Sequence, residues 1–234
     1  MSSLYDRSIA CPICDASFDS KKIKRSAILV DRRDSDYCAY YKGDNPLYYN
    51  IFVCPSCGFS SFESEFDDVK RLSNRHKDNF RKKVTANWQG RQFNHERDWK
   101  TAVETYKLAL ITYTALEYKK SVIAKVFLRI AWLYRHENNQ QEDVFIKYAR
   151  DHFMVAFEKE NISDDKENEL VTMYLVGELS RRLGDYQLAV KWFDKLLKDP
   201  DIKRKRHIEM RARDMWAETS DAYKKQRDKE AVAL

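Results

Sequence analysis

The sequence of 234 residues has little glycine and proline, with five and four copies respectively. P-loops and dinucleotide-binding loops both need glycines within five positions of one another. The closest pair here, Gly177 and Gly184, is seven positions apart, so both kinds of phosphate-binding loop are excluded. The shortage also excludes collagen-like and low-complexity chains, and it argues against a β protein that is dense in turns.

Long apolar runs and catalytic motifs are also missing. No run approaches the roughly 18 residues that span a bilayer, and the first residues lack the apolar core of a secretory signal. His95 and His136 each precede a glutamate, but Trp99 and Gln140 stand where the zinc-protease motif H-E-x-x-H needs its second histidine. We therefore expect a cytoplasmic, non-enzymatic protein without membrane contact. An active site assembled from scattered residues stays open as an alternative.

Composition divides the chain near residue 66. Residues 1–66 hold all five cysteines and three of the four prolines, with a net charge of −1. Residues 67–234 hold one proline, Pro200, and a net charge of +7. The chain has 14 Tyr, 12 Phe and 5 Trp, enough aromatic residues to build a core. These contrasts predict two domains: a small β module over 1–66 and a helical array over 67–234.

Four cysteines form two matched C-P-x-C pairs, Cys11 with Cys14 and Cys54 with Cys57. Each pair places two sulfurs on one tight turn, and two such turns supply the four thiolates of many structural zinc sites. A module this small needs a staple of that kind. We predict structural Zn²⁺ on these four residues. An iron site with the same ligands and a redox dithiol are the alternatives.

The remaining cysteine, Cys38, stands close to Asp34 and Asp36. Nearby carboxylates raise a thiol pKa rather than lower it, so Cys38 is expected to be packed and inert. Two runs resemble strands, Ser26–Val30 and Leu47–Val53, and the second leads directly into Cys54. Strand pairing between Cys14 and Cys54 must then bring the two cysteine pairs together.

Helical periodicity dominates the rest of the chain, and residues 170–201 fit one tetratricopeptide repeat. Small residues stand where two helices approach closely, at Gly177 and Ala189, and Phe193 fills the next gap. Looser copies surround Ala131 and Tyr106, and Ile208–Lys225 forms a capping helix. Ser163 and Asp164 are predicted caps of the helix that follows them.

Such repeats stack into a solenoid whose concave groove binds proteins or peptides. The positive charge of the helical segment predicts an acidic partner. The residues expected to face the groove are Lys125, Leu128, Trp132, Arg135, Tyr174, Glu178 and Arg181.

Two basic segments give an alternative function. Residues 69–83 carry seven Lys or Arg against one acid, and residues 203–229 carry ten against five. The second begins with Lys203, Arg204, Lys205 and Arg206. Such stretches can bind nucleic-acid phosphates, although charge runs on helices are usually solvated faces.

Several motifs together resemble a bacterial family of unknown function that occurs in Firmicutes and related groups. They are the two cysteine pairs, Arg33–Asp36 with Cys38, Asn45–Tyr48, and the Phe52–Phe59 stretch, followed by tetratricopeptide-like helices. The resemblance implies a cytoplasmic protein with Cys11, Cys14, Cys54 and Cys57 as metal ligands, and no assigned activity. Asp15 stands where that family's pattern usually has glycine.

Together these observations predict an α+β, mostly α protein: a zinc-ribbon-like module followed by a tetratricopeptide-like array. The predicted function is a zinc-stabilised adaptor or scaffold for a protein or peptide partner. The alternatives are a nucleic-acid-associated protein and a thiol switch in which oxidation expels the metal.

Overall fold

The computed structural model describes residues 2–160 and 165–232. Within them the chain is mostly helical with small β-sheets, as the sequence predicts. The strands come first: β1 (Leu4–Ala10), β2 (Ser17–Ile23), β3 (Val30–Arg33), β4 (Ala39–Tyr41), β5 (Ile51–Val53) and β6 (Ser60–Phe62). The helices follow: α1 (Asn74–Lys83), α2 (Trp99–Ala115), α3 (Lys120–His136), α4 (Gln141–Lys159), α5 (Lys166–Arg182), α6 (Tyr186–Leu197) and α7 (Arg206–Val232).

The described strands form three two-stranded sheets, each made of neighbours in sequence. β1 and β2 pair antiparallel from Leu4 opposite Ile23 to Ala10 opposite Ser17. β5 and β6 pair antiparallel in the same way, with Val53 opposite Ser60 at the end nearest the turn. Both cysteine pairs therefore lie in turns of antiparallel hairpins.

The strand that was predicted over Leu47–Val53 is present only in its second half, as β5. Pro46–Tyr49 instead form a 3₁₀ turn, in which the Asn45 side chain accepts the Leu47 N–H at 3.0 Å. A proline at the first position with an asparagine cap favours such a turn over a strand. The other predicted run is likewise divided, because Arg25–Ala27 form a 3₁₀ turn and β3 begins at Val30.

Contacts group the chain into two compact units. One comprises the residues before Arg33 together with Ala39–Tyr118 and Arg129–Glu142. The other comprises Arg33–Cys38, Lys119–Leu128 and the described residues from Asp143 onward. We call them the metal-site unit and the helical unit. The predicted modules, 1–66 and 67–234, remain a prediction about which segments fold independently.

The core of the metal-site unit surrounds the cysteines. The rings of Phe52 and Phe59 pack against Phe66 with centroid distances of 5.6 and 5.0 Å. Phe80 from α1 and Leu116 after α2 join the same cluster. The Cys11, Cys54 and Cys57 side chains are buried in it, so this apolar core and the cysteine site depend on each other.

In the helical unit, α5 and α6 form a hairpin around Gly177. A Cβ atom at Gly177 would lie 2.8 Å from a ring atom of Phe193, so only glycine lets the two helices approach this closely. The turn passes through Gly184 at a φ of +76°, and the Asp185 side chain then caps α6 at Leu188 N–H. The close packing that the sequence predicts for Gly177 and Phe193 is present.

The predicted caps Ser163 and Asp164 lie outside the described residues. Asp165, the next residue, caps α5 by accepting hydrogen bonds from the backbone N–H groups of Glu167 and Asn168. Among the described residues, no helix has both the length and the apolar composition that crossing a bilayer would require.

Candidate metal centre

The structure brings together the four cysteines that the sequence singles out. The Sγ atoms of Cys11, Cys14, Cys54 and Cys57 all lie within 4.8 Å of one another. Two of these distances join the two hairpins: Cys11 Sγ lies 3.6 Å from Cys57 Sγ, and Cys14 Sγ lies 3.7 Å from Cys54 Sγ. Four sulfurs this close can enclose one metal ion.

The two cysteine turns have the same backbone hydrogen bonds. In the first, Cys11 N–H donates to Ala16 O and Asp15 N–H donates to Cys11 O, both at 2.9 Å. In the second, Cys54 N–H donates to Phe59 O at 2.8 Å, and Gly58 N–H donates to Cys54 O at 3.0 Å. The two pairs are far apart in sequence, and each one lies in the turn of a separate hairpin.

The residue after each pair has a positive φ, +59° at Asp15 and +77° at Gly58. Glycine adopts this conformation without a steric penalty, and aspartate is among the few other residues that tolerate it. Asp15 therefore preserves the turn geometry despite replacing the glycine usual in the resembled family.

Three side chains that sequence reasoning missed hold the carbonyls of these turns. Trp88 Nε1 donates to Pro55 O at 2.7 Å, and Thr85 Oγ1 donates to Cys57 O at 3.0 Å. Arg81 Nη2 donates to Ile13 O at 3.2 Å. No local spacing identifies them, because each reaches a turn that is distant in sequence.

The thiols share their protons unequally. Hydrogen bonds from Cys11 and Cys57, together with the backbone N–H groups of Cys57 and Ser56, hold the pKa of Cys54 far below its usual range. The same sharing, together with burial, raises the pKa values of Cys11 and Cys57. A cation that replaces these protons relieves the repulsion among four thiolates, which couples metal binding to folding.

The donor set fits a structural zinc ion. Four thiolates complete a tetrahedron and leave no open position for water, so such an ion stabilises the fold without performing hydrolysis. Of the four, only the Cys14 side chain is exposed. Iron accepts the same ligands, so the donor set alone does not select zinc. Cys38 is buried elsewhere, in the turn between β3 and β4, where its N–H lies 3.4 Å from Asp36 Oδ1.

Most residues predicted to face a partner groove are buried. Within the helical unit, Leu128, Tyr174 and Glu178 are buried, whereas Lys125 and Arg181 keep partial exposure. Within the metal-site unit, Trp132 is buried, and the side chain of Arg135 is 9% exposed and pairs with Glu142 at 2.6 Å.

The predicted groove face of α5 is covered by the chain itself. Tyr174 Oη donates to Ser35 O at 2.8 Å, and the Ser35 hydroxyl donates to Glu178 Oε1 at 2.5 Å. Arg181 Nε and Arg182 Nε hold the Glu178 carboxylate at 2.7 and 3.0 Å. The acidic Arg33–Cys38 segment therefore occupies the position that a bound peptide was expected to take.

The basic segments lie at the surface. Residues 69–83 cover a 3₁₀ turn at Asp68–Arg71 and α1. Lys203 and Arg204 lie in the 3₁₀ turn Ile202–Arg204, and Arg206 begins α7. Part of this charge is paired, since Arg204 contacts Asp201 at 2.9 Å and Lys205 contacts Glu167.

Comparisons with known proteins give a family but no activity. Residues 4–219 match the bacterial family described as "Uncharacterized protein conserved in bacteria (DUF2225)". A protein of Borreliella burgdorferi, described as "Uncharacterized protein", is 27% identical over 182 residues. That match covers 68% of this chain and 64% of the relative, so the chain spans less than two thirds of the relative's length. No solved structure matches.

Proposed function

This chain belongs to the DUF2225 family of bacterial proteins, and we propose that it is a non-enzymatic cytoplasmic scaffold stabilised by zinc. Its four cysteines hold a structural ion, and its helical unit binds an acidic protein or peptide partner. The observation that carries the proposal is the closed cluster of four sulfurs, three of them buried in an aromatic core.

The ion's role follows from the surroundings of the cysteines. Zn²⁺ bound there would supply four strong bonds between two hairpins that also meet in one apolar core. Cys11 and Cys14 hold it from the β1–β2 turn, and Cys54 and Cys57 hold it from the β5–β6 turn. Trp88, Thr85 and Arg81 fix the turns by bonding their carbonyls, so the sulfurs are preorganised for the ion.

Tetratricopeptide-like packing of the helical unit is part of the proposal. It is supported by the α5–α6 hairpin, where glycine and phenylalanine meet as that repeat requires. Ala189 and Phe193 are both buried on α6, on the same face as Leu196. Repeats of this kind commonly present a protein-binding surface.

The partner surface must use side chains that solvent can reach. We assign it to Lys125 and Arg181 among the predicted groove residues, and the buried members hold the helices instead. An acidic partner is supported by an intramolecular example, because Arg182 lies 3.5 Å from Asp36 Oδ1 and 3.8 Å from Asp34 Oδ2. Within the helical unit, α5 thus already contacts one acidic segment of this chain.

A tagged pull-down from native lysate tests this function, with nuclease-treated and untreated halves compared by mass spectrometry. Wild type and the exposed control Lys107→Glu should recover the same nuclease-resistant protein, and Lys125→Glu should lose it while retaining its metal. Equal recovery by wild type and both variants would contradict the assigned surface.

A second candidate function is nucleic-acid binding by residues 69–83. The supporting observation is an open hollow of about 600 Å³ beside α1, which is lined by Arg75, Lys82 and Lys83 together with Asp78 and Glu117. Binding through phosphates should weaken steeply as salt rises. Binding that is absent, or that does not respond to salt, would remove this candidate.

The third candidate is a thiol switch, supported by the exposure of Cys14 beside three buried partners. A peroxide would oxidise two thiolates to one disulfide and be reduced to water, which leaves too few ligands for the ion. Zinc should then be released at mild peroxide concentrations. Retention of the metal under those conditions would eliminate the switch.

A further inference from the structure

An open hollow of about 470 Å³ lies in the helical unit, between the Arg33–Ser35 segment and α7. Its walls carry Arg33 and Ser35 on one side, and His207 and Arg211 on the other. Met210 and Met215 add apolar surface, and Met210 is 58% exposed. None of these residues belongs to the metal centre.

Arg211 lines this hollow and has one side-chain nitrogen without a hydrogen-bond partner in the described part of the chain. Its Nη1 atom is buried and has no hydrogen-bond partner among the residues that the structure describes. The guanidinium carbon lies 4.6 Å from the centroid of the Tyr37 ring, which fixes the group by stacking. A guanidinium stays charged, so a buried, unbonded N–H is costly unless an anionic acceptor approaches it.

Nearby carboxylates are already committed to other arginines. Glu178 is held by Arg181 and Arg182, and the side chain of Arg182 also approaches Asp36 and Asp34. The wall residue Asp214 is exposed to solvent. None of these carboxylates therefore serves as an acceptor for Arg211 Nη1.

The backbone beside the hollow is strained at Tyr37, the residue whose ring contacts the Arg211 guanidinium. Tyr37 has a φ of +70°, a conformation that is unusual for a bulky residue and often occurs at functional sites. Two hydrogen bonds impose it, Tyr37 N–H to Asp34 O at 3.1 Å and Asp34 N–H to Cys38 O at 2.8 Å. The tyrosine ring is thereby directed toward Arg211.

We propose that this hollow binds a side-chain carboxylate of an acidic peptide, with Arg211 as the anchor. Arg33 supplies a second guanidinium, and the two methionines contact the aliphatic part of the ligand's side chain. A carboxylate fits better than a phosphate dianion, because Asp34 and Asp214 also line the hollow and repel additional negative charge. The inference rests on the proposed function and names the group that anchors its partner.

The test uses the full-length, metal-loaded protein and a ten-residue acetylated peptide of alternating Glu and Leu, measured by calorimetry. A second peptide with Gln in place of Glu is the control. Wild type should bind the Glu peptide at least about tenfold more tightly than the Gln peptide, since a charge-assisted hydrogen bond is at stake. Equal binding of both peptides would overturn the proposal.

Two variants on α7 locate the site. Arg211→Met should lose the preference for Glu, whereas Arg213→Met should keep it, because Arg213 is exposed and pairs with Glu209 at 2.7 Å on the same helix. Arg211→Lys keeps the charge and replaces Arg211→Met in the test if that variant fails to fold. It should lower the affinity for the Glu peptide by about tenfold. An unchanged preference in a folded Arg211 variant would overturn the proposal.

Competition with inorganic phosphate tests whether the hollow prefers a carboxylate to a phosphate. Displacement of the Glu peptide by an equal concentration of phosphate would contradict carboxylate selectivity. The pull-down with Lys125→Glu reports on the proposed function separately. If that partner is captured but the Glu peptide does not bind, the inference fails alone; if the peptide binds through Arg211 and no partner is captured, the proposed function fails alone.

Discussion

The indole of Trp88 lies against Gly58, so that a Cβ atom at Gly58 would come within 2.8 Å of Trp88 Cδ2. Gly58 follows the second cysteine pair, and Trp88 also bonds Pro55 O in that turn. The Trp88 side chain thus packs against the turn at Gly58 and also donates a hydrogen bond to it at Pro55 O. The second cysteine turn is therefore the more tightly enclosed half of the metal centre.

Gly58→Ala is expected to destabilise the metal-site unit. It adds a close contact with Trp88 to the strain of a residue with φ near +77°, for a loss of about 2–4 kcal/mol in the free energy of unfolding. Gly90→Ala is the matched control, since Gly90 has a φ of +71° and its nearest neighbour, Pro55 O, would be 3.9 Å away. Denaturant titration should show the larger loss at Gly58; equal losses would mean that Trp88 does not restrict this position.

Arg97 bonds three backbone carbonyls from inside the metal-site unit. Nη1 donates to Ile51 O at 2.9 Å and to Tyr48 O at 3.1 Å, and Nη2 donates to Phe93 O at 2.9 Å. Burial lowers the pKa of Arg97 to about 10. Burial thus destabilises the charged guanidinium, and the hydrogen bonds to the three carbonyls offset that loss.

Arg97→Met should remove about 3 kcal/mol of stability, because it leaves these carbonyls without donors. Arg91→Met, which breaks an exposed pair with Glu104 and a contact at 5.1 Å between the guanidinium and the Phe93 ring, should remove less than about 1 kcal/mol. Chemical denaturation of both variants checks the difference. A loss of similar size at the two positions would show that the carbonyls find other donors.

Two neighbouring tyrosines should respond oppositely to loss of the hydroxyl. Tyr113 Oη accepts Phe62 N–H at 2.9 Å and donates to Glu65 Oε2 at 3.0 Å. Tyr118 Oη is buried without a hydrogen-bond partner in the described part of the chain. Tyr113→Phe should therefore cost about 1–3 kcal/mol, and Tyr118→Phe should be neutral or stabilising. Thermal unfolding distinguishes them, and a destabilised Tyr118→Phe would reveal an acceptor that this structure lacks.

Stability should fall at alkaline pH. Burial is the main cause that raises the pKa values of Tyr106, Tyr113 and Tyr174, and it raises that of Tyr118 to about 12. In the unfolded chain tyrosines ionise near pH 10, so above that pH the unfolded state binds fewer protons than the folded one. The stabilisation is therefore complete below about pH 10 and is lost as the pH rises toward 12 and above. Urea titrations from pH 9 to 11.5 check this, and a flat profile would contradict it.

The sequence was most informative where the constraint is local. Two cysteines on one tight turn reveal themselves by spacing, and the Gly177–Phe193 contact follows from helical periodicity. β1 and β2 were not predicted, because their residues are mostly polar and partly exposed and leave no alternating pattern. The strand expected over Leu47–Val53 was shortened by the cap at Asn45 and the proline after it.

Long-range contacts explain the rest of the differences. Tyr174 and Glu178 fit a groove face by helical spacing, but Ser35 covers them from a position 139 residues before Tyr174. Arg97 carries no local signal for its role, and only the folded chain shows the carbonyls that surround it. Periodicity indicates which residues share one face of a helix. Only the folded structure shows which part of the chain covers that face.

The most direct test of the metal centre is the metal content of the purified protein, measured by mass spectrometry on wild type, Cys54→Ser and Cys38→Ser. The zinc site predicts one zinc per chain in wild type and in Cys38→Ser, whose altered cysteine lies outside the cluster. Cys54→Ser should lose the metal and unfold at a lower temperature. Iron or no metal in wild type, or full zinc retention in Cys54→Ser, would contradict the account.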